Sequence, residues 1–125
     1  MGYLRTVRWL YHLVREGDSV PSECGYAPPS LDREGFVHCS YRDDVLESAR
    51  LYFAAAGERP RAFRIDPRRL GVRVVDEPTP RGPMPHVFGP IPRDAIREVH
   101  DLTAFVIRDG EPPPAPDRLD DTLSG

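Results

Sequence analysis

Apolar and polar residues alternate with a period of two in several short stretches of the chain, which predicts β-strands. The stretch from Trp9 to Val14, which contains His12, is predicted to be a strand because it is rich in aromatic and branched residues. On a strand, His12 and Val14 share one face, and Tyr11 and Leu13 share the other. Further strands are predicted at residues 35–40, 61–66, 72–77, 86–89 and 97–102.

The second predicted strand has two faces of different chemistry. Phe36, His38 and Ser40 lie on one face, whereas Val37 and Cys39 lie on the other. Because Cys39 points away from His38, we interpret it as a small core residue rather than a nucleophile.

One stretch of the chain has the periodicity of an amphipathic helix. It begins at an N-cap, Asp43 or Asp44, and ends at Gly57. Its apolar stripe consists of positions 45, 49, 52, 53 and 56. Residues 15–34 and 78–85 are rich in proline and glycine and predict structured loops, the first with room for one helical turn. Together these elements predict an α+β domain with a curved, mostly antiparallel sheet and one main helix.

Length and charge restrict the class of protein. The chain has 125 residues, which suits one domain, predicted at 1–109 and followed by a disordered tail at 110–125. The formal net charge of −3 argues against a nucleic-acid partner, which would need a clustered basic face. All 17 basic side chains are arginine, so no lysine can form a Schiff base.

Cysteine usage and hydropathy bear on location. Two cysteines, Cys24 and Cys39, do not make a disulfide scaffold. No stretch has the features of a secretory signal, and no apolar run approaches the ~20 residues of a membrane span. We therefore expect a cytoplasmic protein without a membrane partner. The sequence leaves its oligomeric state open.

Three histidines are the main candidates for chemistry. His12, His38 and His86 lie in or beside predicted strands, and a buried imidazole needs partners for its ring nitrogens. We expect the three rings to meet in one pocket that binds a small molecule. Ser40 shares the strand face of His38, and Glu77 ends the fourth strand, where its carboxylate can stabilise a cation or act as a base.

Metal binding is an open alternative with little support from spacing. Positions 12, 38, 39 and 86 match no zinc finger or ribbon, and only a catalytic site with three histidines would fit. We therefore assign no metal ligand. Phosphate-binding and dinucleotide-binding glycine motifs are absent from the sequence.

The blocks around these histidines resemble the bacterial family called domain of unknown function 952. The blocks that carry the resemblance are Tyr11-His12-Leu13-Val14, Pro28-Pro29-Ser30-Leu31, Glu34-Gly35-Phe36-Val37-His38-Cys39-Ser40 and Pro85-His86-Val87-Phe88-Gly89-Pro90. The resemblance covers roughly residues 9–102, and the blocks at 34–40 and 85–90 are the specific ones.

The resemblance implies a fold related to the ADP-ribosyltransferases and RNA 2′-phosphotransferases, in which a split, curved sheet grips nicotinamide adenine dinucleotide (NAD) or a similar group. It implies that His12 bonds a ribose and that the strand of His38 and Ser40 lines the pocket. Glu77 or His86 would stand at the catalytic position. Tyr11, Pro29 and Ser30 are further ligand-binding candidates, the last two as part of a rigid rim with Pro28.

Three hypotheses follow for function. The first is an ADP-ribosyltransferase-like enzyme that acts on NAD, as substrate, or on a related ribose-phosphate compound. The second is a non-catalytic module that binds a small nucleotide-like or anionic ligand, which the absence of the transferases' Gln/Glu-x-Glu signature favours. The third is a metal-dependent enzyme with a site of three histidines. No cofactor is assigned.

Overall fold

A computed structural model describes residues 8–15, 25–53, 57–58 and 60–102 of the chain. Their elements are β1 Leu10–Val14, α1 Pro29–Glu34, β2 Val37–His38, α2 Val45–Tyr52, β3 Arg61–Ile65, β4 Val74–Glu77, β5 Met84–Val87 and β6 Ile96–Asp101. Single 3-10 turns at Pro67–Arg69 and Arg93–Ala95 precede β4 and β6. The described part of the chain contains no helix long and apolar enough to cross a membrane.

The first sheet has the strand order β1-β3-β6, with every pair antiparallel. Its middle strand carries alternating apolar residues, of which Phe63 and Ile65 face the main core. Ala62 faces the other side, where Tyr11 of β1 and Val45 of α2 form a smaller apolar cluster. The amphipathic helix α2 therefore covers the outer face of this sheet.

The second sheet has the order β2-β5-β4 and is also antiparallel. Its register pairs His38 with His86 and pairs Val75 with His86 from the other side. One face, with Val37 and Val87, is fully buried in the main core. The opposite face therefore carries the two histidines, because side chains alternate along a strand.

The two sheets are joined where β1 meets the chain just after β2. Tyr11 and Ser40 exchange two backbone hydrogen bonds, of 2.8 and 2.7 Å. The main core between the sheets contains Leu10, Val14, Phe63 and Ile65 from the first sheet, and Val37, Cys39 and Val87 from the second.

The predicted α+β class and antiparallel pairing are confirmed, and the sheet is split into two sheets of three strands. The second strand is shorter than the predicted 35–40. Gly35 ends α1 in the left-handed conformation, with φ of 82°, and after Cys39 the chain leaves β5 and pairs with Tyr11. The helical turn within 15–34 is α1. The predicted tail at 110–125 and the helix positions 54–56 lie outside the described residues.

Candidate functional site

One face of the second sheet carries a row of titratable and aromatic side chains. We call it the histidine face; it consists of Phe36, His38, Arg73, Glu77, His86 and Phe88. The strand register brings these residues together, although they are up to 52 positions apart in the sequence (88 − 36). The opposite face of the same strands is core, so the sheet itself is the floor of the candidate site.

A carboxylate and an imidazole form a pair on the hairpin of β4 and β5. The Nδ1 atom of His86 lies 2.8 Å from Oε1 of Glu77. An ionised carboxylate only accepts hydrogen bonds, so Nδ1 of His86 donates, and Nε2 carries the lone pair of the neutral ring. Only 11% of the His86 side chain is exposed, against 39% for Glu77. The ring is thus fixed by its neighbours, while the carboxylate reaches solvent.

A second pair of the same type lies beside the first. His38 Nε2 is 2.5 Å from Oε2 of Glu34. Glu34 is the last residue of α1, and the left-handed turn at Gly35 reverses the chain so that the carboxylate meets the ring four residues later. The pair is more exposed than the first, because 54% of the His38 side chain is accessible.

Phe36 holds the two imidazoles next to each other. Its ring stacks on His86, with 4.1 Å between centroids and 11° between planes. Its edge contact with His38 is 4.7 Å, and the two imidazole centroids are 5.2 Å apart. Phe88 packs on Phe36 at 5.5 Å, and the Arg73 guanidinium lies 4.7 Å above the Phe88 ring. The rings therefore form one continuous aromatic surface with a cation at its end.

His12 is placed differently from the other two histidines. Its Nδ1 donates to the backbone oxygen of His38, at 2.7 Å, and its Nε2 lies 3.0 Å from the hydroxyl of Tyr26. Because a carbonyl only accepts, the neutral ring has its proton on Nδ1 and accepts from Tyr26. The ring packs against Tyr26 and Phe63 in the core. His12 thus meets the backbone of His38 rather than the surface where the rings of His38 and His86 meet.

The four predicted ligand-binding residues fall in three places. Tyr11 is 1% exposed and belongs to the small cluster under α2. Ser40 is also buried, and its hydroxyl bonds that of Ser48, at 3.0 Å. Pro29 is exposed and Ser30 half-buried in the first turn of α1, the helix that carries Glu34.

Arg81 closes the far end of the second sheet. From the turn between β4 and β5 it donates to the Ser48 hydroxyl, at 2.9 Å, and to the Asp44 backbone oxygen, at 3.3 Å. The guanidinium therefore ties this turn to the start of α2, and Ser48 links it to Ser40.

The structure gives little support to a cysteine nucleophile or to a metal site. Burial raises the pKa of the Cys39 thiol to about 12, so the thiolate that a nucleophile requires is not formed at neutral pH. Within the described ranges, no three or more His, Cys, Asp or Glu side chains are grouped to hold a metal ion. The two nitrogens of His12 are both hydrogen-bonded, which separates it from any three-histidine site.

Three residues of the histidine face, Phe36, Arg73 and Phe88, were not among the predicted site residues. Glu34, whose carboxylate meets His38 at the edge of this face, was not among them either. The spacing of four between Glu34 and His38 is a weak signal, because Gly35 interrupts the helix between them. The contact of Phe36 with His86 depends on pairing between strands that are 50 residues apart in the sequence (86 − 36), and spacing along the chain does not reveal it.

Residues 15–99 match the family model described as "Protein of unknown function (DUF952)". The chain belongs to the DUF952 family. The match contains both carboxylate–imidazole pairs and leaves out Tyr11 and His12, which lie before its first residue. The resemblance found in the sequence is thus confirmed at the level of the family. No curated protein and no solved structure matches the chain.

Proposed function

We propose that this DUF952 domain is an enzyme that acts on a ribose-phosphate compound, such as NAD, by acid–base catalysis of hydrolysis or group transfer. The observation that carries the proposal is the Glu77–His86 pair on the sheet face opposite the core, where Nε2 of His86 has no partner among the described residues and the carboxylate of Glu77 is partly exposed. A fixed imidazole with an orienting carboxylate is a common general base.

The arrangement gives each residue a task. Glu77 holds the His86 ring through Nδ1, and Phe36 fixes its plane, so Nε2 is the atom that takes a proton. The second oxygen of Glu77 is left to stabilise positive charge on a ribose. We propose that Pro29 and Ser30 form the rim of the ligand site, because their helix α1 carries Glu34 beside His38.

For His12, Tyr11 and Ser40 we propose supporting tasks. His12 donates a hydrogen bond to the backbone oxygen of His38 and so fixes the position of β2 relative to the core. Tyr11 and Ser40 join the two sheets through their backbones. Their side chains are buried, and they contribute to the site by holding β2 in place.

The resemblance to the ADP-ribosyltransferase and RNA 2′-phosphotransferase fold supports a nucleotide-like ligand, and a split pair of small sheets is in keeping with it. We also propose a small-molecule ligand for the histidine face. We propose a cytoplasmic location for the domain, on the ground that the chain has only two cysteines.

Turnover of NAD is the test of the proposal. The purified domain is incubated with NAD and with ADP-ribose, and products are followed by chromatography. His86→Gln and Glu77→Gln should each lower the rate, the first by about 10²–10⁴-fold, because His86 supplies the base. His100→Gln is the control: His100 also pairs with a glutamate, Glu98, but on β6 of the first sheet. A measurable rate in the wild type that His86→Gln leaves unchanged would refute the proposal.

A non-catalytic binding module is the second candidate. It is favoured by the absence of the Gln/Glu-x-Glu signature from the sequence. The two candidates differ in turnover, because a binding module is stabilised by its ligand without consuming it. At a hundred times the dissociation constant, a ligand stabilises the fold by about 2.7 kcal/mol, which thermal unfolding detects. Stabilisation by ADP-ribose with no product would select the binding module.

A further inference from the structure

Two carboxylate–imidazole pairs meet at the histidine face, Glu77–His86 within it and Glu34–His38 at its edge. Release of nicotinamide from NAD, however, needs no proton donor for the leaving group. We propose, resting on the function proposed above, that the substrate is a phosphodiester of ribose, cyclic phosphates included, with His86 as general base and His38 as general acid. Glu34 is then the positioning residue of His38, as Glu77 is of His86.

The geometry places two unpartnered imidazole nitrogens side by side. Glu77 engages Nδ1 of His86, and Glu34 engages Nε2 of His38. The nitrogens left over are therefore Nε2 of His86 and Nδ1 of His38, and neither has a partner in the described part of the chain. The ring centroids are 5.2 Å apart, so one small group can meet both rings, one acting as proton acceptor and the other, when protonated, as proton donor.

The leaving group decides between the substrates. Nicotinamide leaves NAD as a neutral molecule, because the bond it breaks belongs to a pyridinium cation, so no acid has to protonate it. A ribose oxygen that leaves phosphorus becomes an alkoxide and needs a proton as the bond breaks. The Glu34–His38 pair has no task in the first reaction and a necessary one in the second.

The proposed step is a hydrolysis that balances without further reactants. A water molecule gives one proton to Nε2 of His86, and its oxygen attacks phosphorus. The bond between phosphorus and the ribose oxygen breaks, the electron pair goes to that oxygen, and Nδ1 of protonated His38 supplies its proton. The products are a phosphomonoester and a free hydroxyl group. Exchange with solvent then returns the proton of His86 and restores that of His38.

The histidine face offers one cation to a bound phosphate. The Arg73 guanidinium lies over Phe88 at one end of the face and has no ion pair among the described residues. It can balance a phosphate bound over the two imidazoles, while the carboxylates of Glu34 and Glu77 are turned to the rings.

Two substrates with different leaving groups test the acid. Adenosine 2′,3′-cyclic phosphate releases a ribose alkoxide, whereas bis(4-nitrophenyl) phosphate releases a phenolate that is stable without a proton. We expect His38→Gln to lose about 10²–10⁴-fold in kcat with the first substrate and only a small factor with the second. Glu34→Gln should show the same dependence on the substrate, to a smaller extent. His86→Gln should lose activity with both, and His100→Gln with neither.

Each outcome decides the inference. Loss in His38→Gln that is confined to the cyclic phosphate supports it. Equal losses with both substrates overturn the acid role of His38. Release of nicotinamide from NAD with no cleavage of either phosphodiester overturns the inference and leaves the proposed function intact, and no turnover of any of the three overturns both. Far-UV circular dichroism of each variant shows that the fold is retained, which the exposure of His38 leads us to expect.

Discussion

Replacement of His12 by leucine distinguishes a supporting role for this ring from direct contact with a ligand. Leucine keeps most of the apolar volume and removes the hydrogen bonds of the ring to the backbone oxygen of His38 and to the hydroxyl of Tyr26. Loss of one hydrogen-bond partner by a buried polar group costs about 1–3 kcal/mol. Two such losses sum to about 2–6 kcal/mol, a large part of the 5–15 kcal/mol by which domains are stable.

Equilibrium unfolding in urea, followed by far-UV circular dichroism, measures this loss. With a slope of about 2 kcal/mol/M, the midpoint of His12→Leu should fall by about 1–3 M. His38→Leu is the matched comparison, because its ring is mostly exposed and the free energy of unfolding should change by no more than about 0.5 kcal/mol. A cycle with Tyr26→Phe should give a coupling of about 1 kcal/mol between the two side chains. An unchanged midpoint in His12→Leu, together with lost activity, would refute the supporting role.

Three further predictions concern other parts of the fold. Burial alone would raise the pKa of Asp66, but hydrogen bonds from Arg68 outweigh it and the pKa is lowered from 3.8; its stabilisation is therefore present above about pH 4 and lost as the pH falls through the lowered value. The urea midpoints of Asp66→Asn and the wild type should thus converge in acid, and a constant difference would contradict this. Cys39 should react with iodoacetamide at pH 8 only after the protein unfolds, because the thiol is buried. Peptide mass spectrometry measures the labelling, and labelling of the native protein as fast as that of the unfolded protein would contradict this prediction. Gly89→Ala places a methyl group against Cγ1 of Val72, closer than van der Waals contact allows, and should destabilise the fold by about 1–3 kcal/mol. The double variant with Val72→Ala should recover part of this loss, and absence of recovery would show another cause.

The parts of the fold that depend on local pattern could be predicted from the sequence. The alternation of side chains on the strand of His12 correctly put Val14 and Tyr11 on opposite faces, of which the structure turns Val14 to the main core and Tyr11 to the smaller cluster. The same reasoning correctly placed Cys39 in the core, opposite His38. In each case the period of two decides the face, whatever the partner strand is.

The parts that depend on pairing between distant strands could not be predicted. The sequence gives no register, so it cannot show that His38 lies opposite His86 while His12 turns to the core with Tyr26. It also could not show that Phe36 packs against both imidazoles of the two carboxylate–imidazole pairs. The shortened second strand has the same origin, because a change of partner at Ser40 depends on where β1 lies.

The imidazole signals of the four histidines, followed by NMR as a ribose-phosphate ligand is added, test the account most directly. With adenosine 2′,3′-cyclic phosphate as the ligand, the account predicts saturable shifts of His38 and His86, and none of His100, which lies on the other sheet. Shifts of His100 that equal those of His86, or constant signals for His38 and His86 while the compound is consumed, would contradict it.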